Sequence, residues 1–128
     1  MERKYILLKD LEVYQLARRL SELAWQIYRE LNWQDKKIMG DQFITAVDSV
    51  GANIAEGYGR YHYLDQIKFY YNSRASLKEC NEHWLELLYE RSKIPPETYK
   101  QFKKIAEQLG IKLNNFISAT YSQKHKQQ

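Results

Sequence analysis

Cys80 and His83 stand three residues apart and could present two metal ligands on one helix face. A tetrahedral site needs a second such cluster, and none follows. Di-iron centres in helix bundles use Glu-x-x-His pairs on two helices, and the chain contains no Glu-x-x-His. His62 and His125 have no evident carboxylate or nucleophile beside them in sequence. Gly57-Tyr58-Gly59 lacks the glycine pattern and the strand context of a nucleotide-binding loop. Glu79, Glu82, Glu86 and Glu90 recur at three- and four-residue steps, which makes a solvated acidic ridge or partners for Arg18 and Arg19 rather than an acid–base pair. The expectation is a non-enzymatic chain with no metal and no cofactor, in which Cys80 is a core residue.

Two other groupings suit binding rather than catalysis. Lys100, Lys103 and Lys104 fall within one helical turn, with Lys112 further on. Residues 95–128 carry six lysines against Glu97 and Glu107, which equals the whole chain's excess of +4. These lysines, with Arg60, are the expected phosphate contacts if RNA or DNA is bound. The second grouping is aromatic. Tyr58, Tyr61, Tyr63, Phe69, Tyr70 and Tyr71 crowd one region, interleaved with Arg60, His62, Lys68 and Arg74. A thin bundle cannot hide them all. Tyrosine and arginine suit protein interfaces and also stack on or pair with RNA. A subunit interface is the favoured use, nucleic-acid contact the second, plain surface the third.

The elements that must position these residues are helices. Composition is that of an ordinary soluble domain, with 28% charged and 44% hydrophobic residues, two prolines and one cysteine. No apolar run approaches the roughly 20 residues of a membrane span, and Tyr5–Leu8 is too short for a signal-peptide core. A lone cysteine fits a reducing cytoplasm. Val13, Ala17, Leu20, Ala24, Ile27 and Leu31 predict a first helix from Leu11, capped by Asp10. Met39, Phe43, Val47, Val50 and Ile54 form the stripe of a second, with Asp35 as its cap and interior Gly40 and Gly51 suggesting a close neighbour. A third runs from Tyr63 to Ser92, with Ile67, Tyr70, Leu77, Cys80, Trp84, Leu87 and Leu88 inward. Pro95-Pro96 opens a fourth, in which Gly110 could introduce a bend, and Ser122–Gln128 reads as a disordered basic tail. Short connections make consecutive helices antiparallel. The fold expected is all-α, a single-domain up-down-up-down four-helix bundle.

Ala52–Arg60 (ANIAEGYGR) is the stretch around which this is arranged. Gly57 is the natural left-handed cap of the second helix. Asn53 and Glu56 share one side of it, either half-exposed and bonding locally or buried against another helix or subunit.

NIAEGYGR, preceded by AVDSVGA and followed by SRASLKE, resembles the four-helix-bundle family named for proteins encoded in intervening sequences of bacterial 23S ribosomal RNA genes. LEVYQLARRL is similar to that family's opening helix, and the likeness spans roughly Lys9 to Phe116. The chain departs from the family where Ile44 and Thr45 replace two arginines, Gly51 a proline, and His62 and Tyr63 a Ser-Thr pair. The resemblance implies a ring-like homopentamer without enzymatic activity. It also implies kinship with accessory proteins of diversity-generating retroelements, which bind reverse transcriptase and nucleic acid. The expected function is a self-assembling adaptor for a nucleic acid or a nucleoprotein partner. The alternative is a structural or regulatory protein–protein module with no nucleic-acid role. Asn53, Glu56, Gly57, Tyr58, Tyr61, Tyr70, Tyr71 and Arg74 are the motif and interface residues so implied.

Overall fold

A computed structural model describes residues 5–127, with side chains to residue 123. Helix α1 spans Glu12–Glu30. Helix α2 is continuous through Trp33–Asp35, a π-turn at Lys36–Gly40, and Asp41–Tyr58. Helix α3 runs through Tyr63–Glu79, a second π-turn at Cys80–Trp84, and Leu85–Glu90. Helix α4 covers Pro96–Gln127. Each helix packs on its neighbours in sequence, and α4 closes back on α1. This is the expected up-down-up-down bundle.

The apolar stripes of α1 and α2 are buried as their spacing predicts, from Val13 to Leu31 and from Met39 to Ile54. Phe43 and Phe102 meet across the middle, ring centroids 5.5 Å apart. In α3 the stripe changes face. Ile67, Tyr70, Leu77 and Cys80 are buried, but after the π-turn burial passes to Leu85 and Leu88, while Trp84 and Leu87 are only half-buried. A π-turn inserts one residue into the helical repeat, so the inward position slips from Cys80 plus four to Cys80 plus five.

Several helix ends differ from expectation. Asp10 ends a short 3-10 turn, Leu8–Asp10, and α1 follows Leu11 without a side-chain cap. The cap of α2 is Asn32, whose Oδ1 accepts from the Asp35 amide at 2.8 Å. Asp35 instead pairs with Lys93 of the α3–α4 connection at 3.0 Å. That connection turns at Ser92, in the left-handed region at φ 58°. The Ser92 and Lys93 amides reach back to the Tyr89 and Leu88 carbonyls, which satisfies orphan carbonyls of the helix end. Helix α4 passes Gly110 unbroken and continues as helix to Gln127, where a disordered tail was expected from Ser122. Lys124, His125 and Lys126 lie outside the described side chains.

Candidate interaction surfaces

Gly57 does not cap α2. No glycine among the described residues has positive φ, and α2 runs on to Tyr58. Gly57 is buried against α3. A Cβ there would stand 2.7 Å from Tyr70 Cε1, 2.9 Å from Phe69 Cβ and 3.1 Å from the Gln66 carbonyl oxygen. One seam turn away, the buried Ser73 hydroxyl donates to the Val50 carbonyl at 2.8 Å. These contacts draw α2 and α3 together, and Ser73 was missed because a serine on a helix face gives no burial signal. Gly40 is also approached, its Cβ position 2.9 Å from Leu31 Cδ1, whereas Gly51 has only ordinary contacts from 3.5 Å.

Asn53 and Glu56 bond locally. Asn53 Nδ2 donates to the Ser49 carbonyl at 2.8 Å. Glu56 pairs with Arg60 four residues on, at 2.6 Å, with both side chains about half exposed. Such a pair contributes about 0.3–0.5 kcal/mol, and within the chain Glu56 is not buried against another helix.

The aromatic crowd divides. Tyr70 is core, packed on Phe116 at 4.8 Å and not on the outer surface. Burial pushes its phenol pKa upward. Tyr58 is half-buried, its hydroxyl donating to the Ile6 carbonyl and its ring 5.7 Å from Tyr5. Tyr71 bonds Tyr121 at 2.9 Å between hydroxyls. Arg74 lies over the Tyr71 ring and reaches Asn114 at 3.2 Å, and Arg60 lies over Phe69. Tyr61 stands out, 91% exposed, with Leu64, Tyr5, Ile6 and Leu7 also exposed at this end of the bundle.

The lysines of α4 do not form the expected patch. Lys100 and Lys104 are exposed, but Lys103 turns inward to α3. Its ammonium meets Glu86 at 2.7 Å and donates to the Asn81 carbonyl at 2.7 Å. Glu86 also accepts from the Tyr99 hydroxyl at 2.6 Å. The Lys103 and Tyr99 hydrogen bonds hold the Glu86 carboxyl below the usual glutamate range, and Glu86 pushes the Tyr99 phenol up to about 12. Lys112 sits 3.4 Å from Glu12. Of the acidic ridge only Glu86 is thus partnered by α4, and Arg18 donates to Tyr14 instead of reaching the ridge. Asn81 Oδ1, in the α3 π-turn, is buried without a partner.

An unforeseen surface lies at the opposite end. Trp33 is 76% exposed, Ile38 54% and Trp25 48%. Trp25 stacks on Tyr28 at 5.5 Å, Lys36 lies over Tyr28 at 5.1 Å, and Lys37 over Trp33 at 5.2 Å. The available signal was two lysines three and four residues after a tryptophan.

The described residues hold no group of three or more His, Cys, Asp or Glu side chains placed for a metal. Cys80 is buried and free, its thiol pushed up to about 12 by burial, while His83 is exposed against Trp84. A depression of about 360 Å³ on the α1–α2 seam is floored by Ala17, Val47 and Gly51. Its polar rim is already self-paired through Ser21 with Asp48 and Arg18 with Tyr14. No helix among the described residues is long and apolar enough to cross a membrane.

No curated protein matches the chain. The structure is similar to that of a protein of unknown function from the S23 ribosomal protein family of Bacteroides thetaiotaomicron VPI-5482. The TM-score is 0.76 at 24% identity, covering 82% of this chain and 97% of that one. At this identity the likeness establishes the fold. The family model for 23S rRNA-intervening sequence proteins matches residues 9–115. The chain belongs to that family.

Proposed function

We propose that this chain is a non-enzymatic, cytoplasmic adaptor that assembles with copies of itself, a homopentamer being the expected state. The assembly offers its surface to a nucleic acid or a nucleoprotein partner such as a reverse transcriptase. The observation that carries the reading is exposed apolar surface gathered at both ends of the bundle: Tyr5, Ile6, Leu7, Tyr61 and Leu64 at one, Trp25, Trp33 and Ile38 at the other. Clusters of this kind mark interaction sites, whereas single exposed apolar residues do not. The free cations Lys100 and Lys104 support the nucleic-acid partner more weakly than a full patch would.

Light scattering after size exclusion tests assembly. A mass several times 15.4 kDa is expected, and a clean monomer at micromolar concentration overturns the reading. Fluorescence anisotropy with short RNA and DNA across a salt series tests the partner. Binding should weaken with salt by a log–log slope of about −0.7 to −0.9 per phosphate neutralised and fall when Lys100 and Lys104 become Glu. No binding at low salt leaves a protein–protein module.

A further inference from the structure

The chain carries two exposed surfaces of opposite chemistry at the same end of the bundle. The first, on the α1–α2 side, is the Trp25, Tyr28, Trp33 and Ile38 surface with Lys36 and Lys37 laid over its rings. Two of its nearby carboxylates are engaged, Asp35 by Lys93 at 3.0 Å and Asp41 by the Tyr28 hydroxyl at 2.6 Å. Neither Lys36 nor Lys37 is in an ion pair among the described residues. The second, on the α3–α4 side, is the glutamate ridge. From Glu79 to Glu90 the sequence has no lysine or arginine. Glu79 accepts from Trp84 Nε1 and Glu86 is held by Lys103, which leaves the exposed Glu82 and Glu90 free. Beside them Tyr89, 37% exposed, stacks on Tyr99 at 4.0 Å.

Both surfaces include the π-turns, Lys36–Gly40 in α2 and Cys80–Trp84 in α3. Such turns recur at functional sites. Glu90, moreover, is the last residue of α3, where a negative charge opposes the helix dipole. An exposed residue placed against local stability fits a role outside its own helix.

We propose that these surfaces are the two halves of one contact between copies of this chain, the Lys36–Lys37 aromatic face of one copy meeting the Glu82–Glu90 ridge of the next. The proposal rests on the self-assembly reading and names the faces it uses. Because the two patches differ, the contact is heterologous, and repeating it closes a ring if the rotation per copy permits. Tryptophan and tyrosine are the side chains that anchor such contacts. Trp33, at 76% the most exposed of them on these two faces, supplies the centre of the contact.

The test is charge reversal read by light scattering. Lys36→Glu with Lys37→Glu, and separately Glu82→Lys with Glu90→Lys, should each raise the dissociation constant at least about tenfold by setting like charges opposite each other. All four changes together should restore assembly. Lysine at the C-terminal end of α3 agrees with the helix dipole, so lost assembly there does not follow from a weaker helix, and circular dichroism verifies each fold. Trp33→Ser, which leaves the core untouched, should also loosen assembly. A parent that assembles while the reversed pairs assemble equally well overturns this contact and leaves self-assembly standing. Failure of the fourfold change to recover also overturns the contact. A monomeric parent overturns both.

Discussion

Replacing Gly57 by alanine sets two effects against each other. An interior helical glycine is worse than alanine by up to about 1 kcal/mol, and Gly57 sits inside α2 without positive φ. Propensity alone therefore predicts stabilisation. Packing predicts the reverse. The new methyl would lie 2.7 Å from Tyr70 Cε1 and 2.9 Å from Phe69 Cβ, below any real carbon–carbon contact. Tyr70 is only 1% exposed and has nowhere to swing, and the Phe69 Cβ and Gln66 carbonyl move only with the backbone. Helix α3 must be pushed off α2, an overpacking cost of about 1–3 kcal/mol. The expected net is a loss of about 1–2 kcal/mol. Gly51→Ala is the control. Its methyl meets Ala17 Cβ at 3.5 Å, so propensity should win and stability rise by about 0.5–1 kcal/mol. Urea unfolding followed by circular dichroism gives both values, at matched protein concentration because assembly shifts apparent stability. A Gly57→Ala protein as stable as its parent would falsify the packing argument.

The network of Lys103, Glu86 and Tyr99 predicts two pH windows. Glu86 is held below its ordinary pKa in the fold, so its stabilisation is present above the unfolded value near 4.5 and disappears as pH falls through the lowered one. Glu86→Gln should cost about 1–2 kcal/mol at neutral pH and flatten that acid limb, and an unchanged limb would count against the pairing. Tyr99 is raised to about 12, so its stabilisation is complete below pH 10 and lost as pH climbs toward 12. Tyr99→Phe should remove that alkaline slope. Finally, Asn81 Oδ1 is buried without a partner, so Asn81→Leu should be neutral or stabilising by up to about 1 kcal/mol. A clear loss of stability would show that the amide has a role its geometry hides.

The bundle was legible because burial follows the helical repeat wherever the repeat is regular. Val47, Val50 and Ile54 needed only their spacing. The stripe of α3 was legible as far as Cys80 and only in part beyond it, where Leu88 is inward as expected, since a π-turn shifts the later side chains by one position and leaves no composition signal. For that reason Leu85 was missed and Trp84 was placed inward. The candidate surfaces were less legible still. Counting tyrosines shows that some must be exposed, but which ones depends on how α3 rotates against α2 and α4. Tyr70 and Tyr61 look alike in sequence and end at opposite extremes of burial. Lys103 looked like a free cation because its partner Glu86 is fixed by the α3–α4 register, a relation between segments that neither segment encodes alone.

The stretches that carry the family likeness turn out to be packing devices. Gly57 of NIAEGYGR receives Phe69 and Tyr70, and Ser73 of SRASLKE bonds the Val50 carbonyl within AVDSVGA. Glu56 and Asn53 of that stretch only bond locally, to Arg60 in the following turn and to the Ser49 carbonyl. A motif that sets how two helices approach one another specifies a fold and leaves the outer faces free to differ. Trp33, Lys36, Lys37, Glu82 and Glu90 all lie outside these seam contacts. Substitutions in the motif should therefore report on stability, and substitutions on the two outer faces on assembly. A Gly57 variant that unfolds early yet assembles normally while folded, beside a Lys36–Lys37 variant that folds normally yet stays apart, would separate the two roles within one chain.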